Sequence, residues 1–410
     1  MTAQTPIAMG DDAPLQRDRR GRQMSSEHEP YPREDNAFPY TNPPSAPDRE
    51  LLERTSGPRL HIAVLAPPWI PVPPPGYGGI EYVVALVVDA LVEHGHDVEL
   101  FCAPGSSSRA KVHPLLDRPH PESIERSLFE GDHDGRAFRA IDEAAAAGHP
   151  FDVIHDNSGY VALAMADRVD TPLVHTVHGP FDANTKPYYA VHGHNGAVVC
   201  ISHAQSRMAP EPEIVDAVVH NPVDVDNWPV GYEKEDYLLW LGRMAPEKGA
   251  HRAIRVAKAT GRRLVLAGPV QPGQERFFAN EVQPHIDGET IRYIGEVGGA
   301  RKQRVFADAF AFLMPIRWPE PFGMVMVEAM AAGTPVLAFP EGAAPEIVED
   351  GVSGYLVADE DEMAARVDDA GRLDPLQIRR SAERFAPDRI AAGYEEAFRA
   401  AMRHLSGARS

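Results

Sequence analysis

Two glutamates in the pattern E-x7-E are the most informative chemical feature of the sequence. They lie in RWPEPFGMVMVEAMAAGTPVLAF, with Glu320 in a loop after an apolar strand and Glu328 inside an apolar helix. A carboxylate in an apolar helical run must find a partner or a ligand, because burying an unpaired charge is costly. The amides of Phe322, Gly323 and Met324 are free at the helix start and can donate hydrogen bonds. The segment predicts a site for a ligand that carries hydroxyl or phosphate groups.

Two cations follow another strand, in the segment LGRMAPEKG. Arg243 comes directly after the strand, and Lys248 lies in the first turn of the next predicted helix, 247–260. A helix N-terminus favours anions, so two cations beside it indicate a shared anionic ligand such as a diphosphate. Salt bridges to Glu247 or Asp236 are the alternative interpretation.

A glycine-rich turn, GYGGIE at Gly76–Glu81, joins a strand to a helix near the start of the patterned region. Glycine lets the backbone approach a ligand closely, and the following helix N-terminus favours an anion. Glu81 stands where a G-x-G-x-x-G fingerprint needs its third glycine, which argues against a nicotinamide dinucleotide. An ordinary tight turn is an equally good interpretation of this segment alone.

The histidines indicate no metal site. His175 and His178 are three residues apart on one predicted strand, so they point to opposite faces and form no metal-binding pair. His178 ends that strand, where residues of a cleft are expected. The sequence also has no G-x-S-x-G elbow and no G-x-x-x-x-G-K-[ST] loop. We therefore expect neither a metal nor a cofactor.

Strands alternate with helices along most of the chain. The strand candidates are LHIAVLA, DVELFCA, FDVIHD, PLVHTV, AVVCIS and DAVVH, followed by DYLLWLG, RRLVLAG, IRYIG, AFAFLMP, TPVLAF and GYLVA. Short apolar runs without alternation are typical of strands buried on both faces, and the strand–helix order predicts doubly wound parallel sheets. The predicted fold class is α/β, with two Rossmann-like sheets that face a cleft.

Composition divides the chain into three segments. Residues 1–57 are rich in proline and mixed charge and predict a disordered tail. The turn formers and charges of NPVDVDNWPVGYEKED then separate a domain at 58–232 from a second domain at 233–386. A long amphipathic helix is predicted at 387–404, with its apolar residues on one side.

Charge and cysteine content exclude several classes of protein. The chain has 410 residues and a net charge of −20, which argues against a nucleic-acid binder and against docking on an anionic membrane. Two cysteines cannot make a disulfide framework, and no run of about 18 apolar residues or signal peptide occurs. These features predict a cytoplasmic protein.

The three chemical segments together resemble the retaining glycosyltransferases of family 4, which have the GT-B fold. The resemblance covers nearly everything from Leu60 to the C-terminus. It is carried by EPFG and GTPV around the two glutamates, by GRMAPEKG, and by NPVD at Asn221–Asp224, which resembles the family's hinge-side motif. PVPPPGYGGIE resembles a subgroup that glycosylates small soluble molecules, often from UDP-glucose.

This resemblance implies a role for each candidate residue. Glu328 would accept from the ribose hydroxyls of the nucleotide, and Glu320 would bind the donor sugar near the reacting carbon. His178 would face the reaction centre, which makes it a catalytic candidate together with Glu320. The helix at 387–404 would cross back and complete the N-terminal domain. The other implied contacts are Gly78, Gly79, Arg243 and Lys248 to the diphosphate, Phe322, Gly323, Met324 and Val325 to the sugar or ribose, and Gly295, Glu296 and Val297 to the base.

The implied reaction is metal-independent transfer of a hexose, glucose from UDP-glucose in the first instance, to a small soluble acceptor. Retention would follow a front-face path in which the leaving phosphate helps to deprotonate the acceptor, although Glu320 as a covalent nucleophile stays open. GDP-mannose as donor and a lipid as acceptor are alternatives. A sugar-nucleotide epimerase and a non-catalytic sugar-nucleotide-binding protein are alternatives of other classes. No nucleic-acid partner and no stable membrane association are expected, and the oligomeric state is left open.

Overall fold

The computed structural model describes residues 57–76, 78–124 and 126–408, without the side chains of 405–408. Its strands form two wholly parallel sheets, with the orders β3-β2-β1-β4-β5-β6-β7 and β10-β9-β8-β11-β12-β13. The strands of the first sheet are β1 His61–Leu65, β2 Asp97–Cys102, β3 Lys111–Pro114, β4 Val153–Asp156, β5 Leu173–Val177, β6 Ala197–Cys200 and β7 Val215–Val218. Those of the second are β8 Tyr237–Leu241, β9 Arg263–Ala267, β10 Ile291–Tyr293, β11 Ala311–Met314, β12 Val336–Ala338 and β13 Gly354–Leu356. The predicted tail lies outside the described residues, apart from Gly57.

Helices cover both faces of each sheet. Around the first sheet they are α1 Gly79–Glu93, α2 Ser127–Ala146, α3 Val161–Ala164, α4 Thr185–His192 and α5 His203–Ser206. Around the second they are α6 Ala250–Thr260, α7 Glu275–Phe277, α8 Gly299–Asp308, α9 Met324–Ala331, α10 Ala344–Ile347, α11 Glu360–Ala370 and α12 Pro375–Ala382. The last helix is α13 Pro387–Ala408. We call the first sheet with α1–α5 and α13 the first lobe, and the second sheet with α6–α12 the second lobe.

Successive residues of each central strand face two different apolar cores. Ile62 and Val64 of β1 pack into one core of the first lobe, and Leu65 packs into the other. In the second lobe, Leu239 of β8 faces one core and Trp240 faces the other. Side chains alternate along a strand, so a strand covered on both sides must be apolar throughout. The predicted α/β class with two Rossmann-like sheets is confirmed.

The order of the strands fixes where a ligand can bind. In the first sheet the connections run outward in opposite directions from β1 and β4, and in the second sheet they do so from β8 and β11. In sheets of this kind, the loops after two such strands diverge and leave a crevice at the carboxyl ends. The glycine-rich turn follows β1, and Arg243 and Glu320 follow β8 and β11.

Helix α13 returns from the second lobe to the first. Its residues Tyr394 and Phe398 are fully buried in the core that also contains Val64 and Val174. The helix therefore packs on the first sheet, while the domain bounds 58–232 and 233–386 and their completion by 387–404 stay predictions. Among the described helices, none is both long and apolar enough to cross a membrane.

Candidate functional site

A cleft of about 370 Å³ lies between the carboxyl ends of the two sheets. Almost all of the predicted site residues line it: Gly78, Gly79, His178, Arg243, Lys248, Glu296, Val297, Glu320, Phe322, Gly323, Met324, Val325 and Glu328. Gly295 is the exception, since it is not among the lining residues and its carbonyl accepts the N–H of Gly268 at 2.8 Å. The topology thus gathers residues that are distant in sequence into one site.

Glu320 and Lys248 meet directly in this cleft. The ammonium of Lys248 forms an ion pair with Glu320 Oε2, and each side chain is 14% exposed. The indole N–H of Trp318 donates to the same oxygen at 2.8 Å, and Lys248 Nζ lies 4.5 Å from the centre of the Trp318 ring. From the sequence, these two charged groups are expected to contact separate parts of a ligand, with Glu247 or Asp236 as the alternative partners of the lysine, whereas the structure pairs them with each other.

The turn that carries Lys248 differs from the predicted helix start. Pro246–Lys248 form one 3-10 turn, and the α-helix α6 begins only after Gly249, whose φ is 84°. A side chain at Gly249 would place its Cβ 2.3 Å from the carbonyl oxygen of Pro315, so the backbone comes very close to the loop after β11. The prediction of Lys248 in the first turn of the helix is wrong, because this contact separates the turn from the helix.

Glu328 is also paired, by a residue that the sequence analysis missed. Lys302 Nζ, on α8, lies 2.5 Å from Glu328 Oε1, and both residues line the cleft. The side chain of Glu328 is 4% exposed, and its Oε2 atom has no hydrogen-bond partner among the described residues. A buried acceptor without a donor is costly, so this oxygen is suited to a hydroxyl from a ligand. Nothing in the spacing of GGARKQRVF distinguishes Lys302 from its basic neighbours.

Arg243 is hydrogen-bonded to a neutral side chain, whereas Lys248 and Lys302 are ion-paired. Its guanidinium makes a hydrogen bond of 3.2 Å to the neutral side chain of Gln271. The backbone beside Arg243 is closely packed, because a Cβ on Gly268 would lie 1.9 Å from the carbonyl oxygen of Gly242. The arginine can therefore turn toward an anion in the cleft without breaking an ion pair.

The glycine-rich turn brings a helix N-terminus to the opposite wall. Gly78 caps α1, and Gly79 begins it with open space on the side where a side chain would be. Burial raises the pKa of Glu81, in the first turn of α1, to about 7. A protonated Glu81 adds no negative charge to this anion-binding end of the helix. Tyr77, which precedes Gly78, lies outside the described residues.

His178 is held neutral beside the cleft. Burial and the neighbouring His175 lower the pKa of His178 to about 3, despite the nearby Asp156. His178 Nε2 donates to Asn157 Oδ1 at 2.9 Å, which leaves Nδ1 as the acceptor. His175 lies within β5 and has a different role, since its Nδ1 pairs with the buried Asp156 at 2.6 Å.

Two further residues of the cleft went unrecognised in the sequence. Trp318 had no predicted role, although it precedes Glu320 by only two residues. Asn221 of the NPVD segment lines the cleft, is 5% exposed, and has an Oδ1 atom without a partner among the described residues. The described residues contain no group of three or more His, Cys, Asp and Glu side chains arranged to hold a metal ion.

The sequence and the fold are similar to those of known glycosyltransferases. A model described as Glycosyltransferase Family 4 matches residues 77–227, and one described as Glycosyl transferases group 1 matches residues 227–384. The structure of AviGT4, a glycosyltransferase involved in avilamycin A biosynthesis, is 31% identical with a TM-score of 0.65. That match covers 85% of this chain and 98% of the other. The chain belongs to glycosyltransferase family 4.

More distant relatives agree with this assignment. The D-inositol 3-phosphate glycosyltransferase of Mycobacterium marinum is 28% identical, over 82% of this chain and 85% of the relative. The Anabaena protein HepE, solved with UDP-glucose, is 19% identical with a TM-score of 0.60, over 85% of this chain and all of the other, and shows the same fold. The family 4 protein is thus a retaining glycosyltransferase with the GT-B fold, as the resemblance implied.

Proposed function

We propose that this family 4 glycosyltransferase transfers glucose from UDP-glucose to a small, uncharged acceptor without a metal ion. The observation that carries the proposal is the cleft itself, in which two glutamates and three cations of the second lobe lie opposite the glycine-rich turn of the first lobe. The buried, unpartnered Oε2 of Glu328 is suited to a ribose hydroxyl, and Glu320, in the loop before α9, would bind the donor sugar.

Protein cations would stabilise the leaving diphosphate. Arg243, Lys248 and Lys302 line the cleft, and the N-termini of α1 and α9 point their amides into it. These groups supply the positive potential that the growing charge of a nucleoside diphosphate needs. Lys248 would exchange part of its contact with Glu320 for a phosphate oxygen when the donor binds.

The geometry around Glu320 supports a front-face path rather than a covalent one. Its Oε2 atom already accepts from Lys248 and Trp318, and the ion pair with Lys248 reduces the negative charge that either oxygen of the carboxylate can bring to the sugar. His178 stays neutral and cannot carry a positive charge toward the sugar at ordinary pH. In the proposed reaction, the leaving phosphate oxygen accepts the proton of the acceptor hydroxyl as the new bond forms on the same face.

The first-lobe wall of the cleft favours an uncharged acceptor. Its described members are Pro74, Gly76, Gly78, Gly79, Ile80, Tyr82, Val83, His178, Pro180 and Ile201. This wall is apolar apart from a tyrosine and the neutral histidine, whereas the three cations belong to the second lobe. The acceptor named for the mycobacterial relatives carries a phosphate, and the described part of this wall offers no cationic side chain for it, while the helix N-terminus at Gly79 serves the donor diphosphate in this proposal.

The donor can be tested by calorimetry with UDP, GDP and ADP, each with Mg²⁺ and with EDTA. We expect UDP to bind in both conditions, and Arg243→Ala to weaken it about ten- to a hundredfold, as for loss of a charged hydrogen bond. Arg276→Ala, in the exposed part of the second lobe, is the matched control. Preference for GDP, or a strict need for Mg²⁺, would contradict the proposed donor chemistry.

The reaction can be tested with labelled UDP-glucose and GDP-mannose. Neutral polyols, D-inositol 3-phosphate and lipid extracts should be offered in parallel, and product NMR should give the anomeric configuration. Transfer to a neutral acceptor with retention is expected. Isomerised nucleotide sugar without acceptor would indicate an epimerase, and tight UDP binding without any turnover would indicate a binding protein.

A further inference from the structure

Trp318 is built into the contact between Lys248 and Glu320. Its indole N–H donates to Glu320 Oε2 at 2.8 Å, and its ring lies 4.5 Å from Lys248 Nζ. The tryptophan therefore touches both charged groups, one by a hydrogen bond and the other by a cation–π contact. Its ring also packs against the core of the second lobe.

Backbone hydrogen bonds hold the segments that carry Lys248, Trp318 and Glu320 at fixed positions relative to one another. The N–H of Arg317 donates to the carbonyl of Glu247 at 3.0 Å, which ties the loop after β11 to the turn that carries Lys248. The N–H of Glu320 donates to the carbonyl of Trp318 at 2.8 Å, and Ala343 donates to the carbonyl of Glu320 at 3.0 Å. A side chain anchored in this way loses little freedom when a ligand arrives.

The two oxygens of Glu320 consequently differ. Oε2 accepts from Lys248 and from Trp318, whereas no described residue donates to Oε1. A hydrogen bond from a fixed indole selects one orientation of the carboxylate, because the planar ring has few rotamers and is packed on one side.

We propose that Trp318 is a positioning residue of sugar transfer, which orients Glu320 so that Oε1 receives one hydroxyl of the donor sugar. The inference rests on the proposed function, since it needs a sugar beside Glu320. It adds a residue to the machinery and assigns the two oxygens of Glu320 different partners.

Trp318→Phe tests the inference, because it removes the indole N–H and keeps an aromatic ring over Lys248. We expect kcat to fall about ten- to a hundredfold, as for the loss of one charged hydrogen bond. UDP affinity should stay within about threefold, because the diphosphate and base contacts remain. Trp228→Phe is the matched control: Trp228 is buried, whereas Trp318 is partly buried, and the indole N–H of Trp228 has no partner among the described residues.

Monodeoxy analogues of UDP-glucose separate positioning from general damage. In the unmutated enzyme, removal of one particular hydroxyl from the donor sugar should lower kcat strongly. In Trp318→Phe, the analogue that lacks this hydroxyl should react almost as fast as UDP-glucose. Trp318→His, which returns a ring N–H, should recover part of kcat and part of the discrimination. A variant that fails to fold would be recognised by circular dichroism, and the His variant then carries the comparison.

The outcomes distinguish this inference from the proposed function. If Trp318→Phe and Trp228→Phe have the same kcat, and the same relative kcat with each monodeoxy analogue, Trp318 is not a positioning residue. The proposed glucosyl transfer would be unaffected by that result. An equal loss of activity with every analogue would also overturn it. If the unmutated protein binds no UDP-sugar, the proposed function fails and this inference fails with it.

Discussion

At the scale of residues, the sequence identified charged groups more readily than their partners. Glu320, Glu328, Arg243 and Lys248 were recognisable because carboxylates in apolar helices and cations after strands are unusual. Their partners could not be found in the same way. Lys302 lies 26 positions before Glu328 in the chain, within a basic helix that has no distinguishing pattern. Such pairs arise from the packing of α8 against α9, which no local periodicity contains.

Lys302 provides a test at this scale. Lys302→Met leaves the Glu328 carboxylate, 4% exposed, without its cation. We expect the free energy of unfolding to fall by about 2 kcal/mol, somewhat below the usual cost of breaking a buried pair because Lys302 is partly exposed. Adding Glu328→Gln should recover most of that loss but not the affinity for UDP. Urea unfolding and calorimetry measure both, with the exposed Lys258→Met as control; equal stability of all variants would contradict the assigned pair.

At the scale of elements, the pattern of apolar runs predicted the strands that are buried on both faces. It did not predict β3, a four-residue edge strand with half-exposed side chains, because such a strand has no apolar run. It also placed Lys248 in a helix, because Pro246 suits a first turn in either an α-helix or a 3-10 turn. The turn type is decided by Gly249 and its close approach to Pro315, a tertiary contact.

The loop after β12 offers a second test. Gly342 has a φ of 55°, and a Cβ there would lie 2.3 Å from the carbonyl oxygen of Glu320. Gly342→Ala must therefore move either its own loop or Glu320, and we expect kcat to fall at least tenfold with a loss of about 2 kcal/mol in stability. Gly351→Ala has a comparable φ of 75° and open space around it, so it controls for backbone strain alone. Equal kcat in both variants would show that Gly342 does not fix Glu320.

At the scale of the whole molecule, Glu346 joins the two lobes. Glu346 of α10 accepts from the backbone N–H of His203 at 2.8 Å and lies 3.2 Å from His220, so a second-lobe carboxylate caps a first-lobe helix. A buried cluster holds α13 against the end of α1 within the first lobe. His94 and His96 lie 2.6 and 3.3 Å from Glu395, and His96 Nδ1 accepts from Leu60. The sequence predicted the helix, but only the family resemblance implied where it packs.

This buried cluster predicts how stability depends on pH. Burial alone would raise the pKa of Glu395, but hydrogen bonds from His94 and His96 outweigh it and lower the pKa to about 2. A lowered carboxyl pKa stabilises the fold above about pH 4.5, and this contribution is lost as the pH falls toward 2. We expect Glu395→Gln to cost about 2 kcal/mol at pH 7 and much less near pH 3. Urea unfolding at both pH values measures it, with the exposed neighbour Glu396→Gln as control; a loss that does not change with pH would contradict the cluster's charge.

The return of α13 also sets an order of events during synthesis. The core face of the first sheet that Tyr394 and Phe398 cover stays open until the ribosome has made the last helix. By then every strand of the second lobe has been translated, so that lobe can fold first, although it comes later in the chain. A nascent chain that ends near Ala386 would display a bare apolar sheet, of the kind that chaperones bind. The core of the first lobe is thus completed only by α13, a helix that follows every strand of the second lobe in the chain.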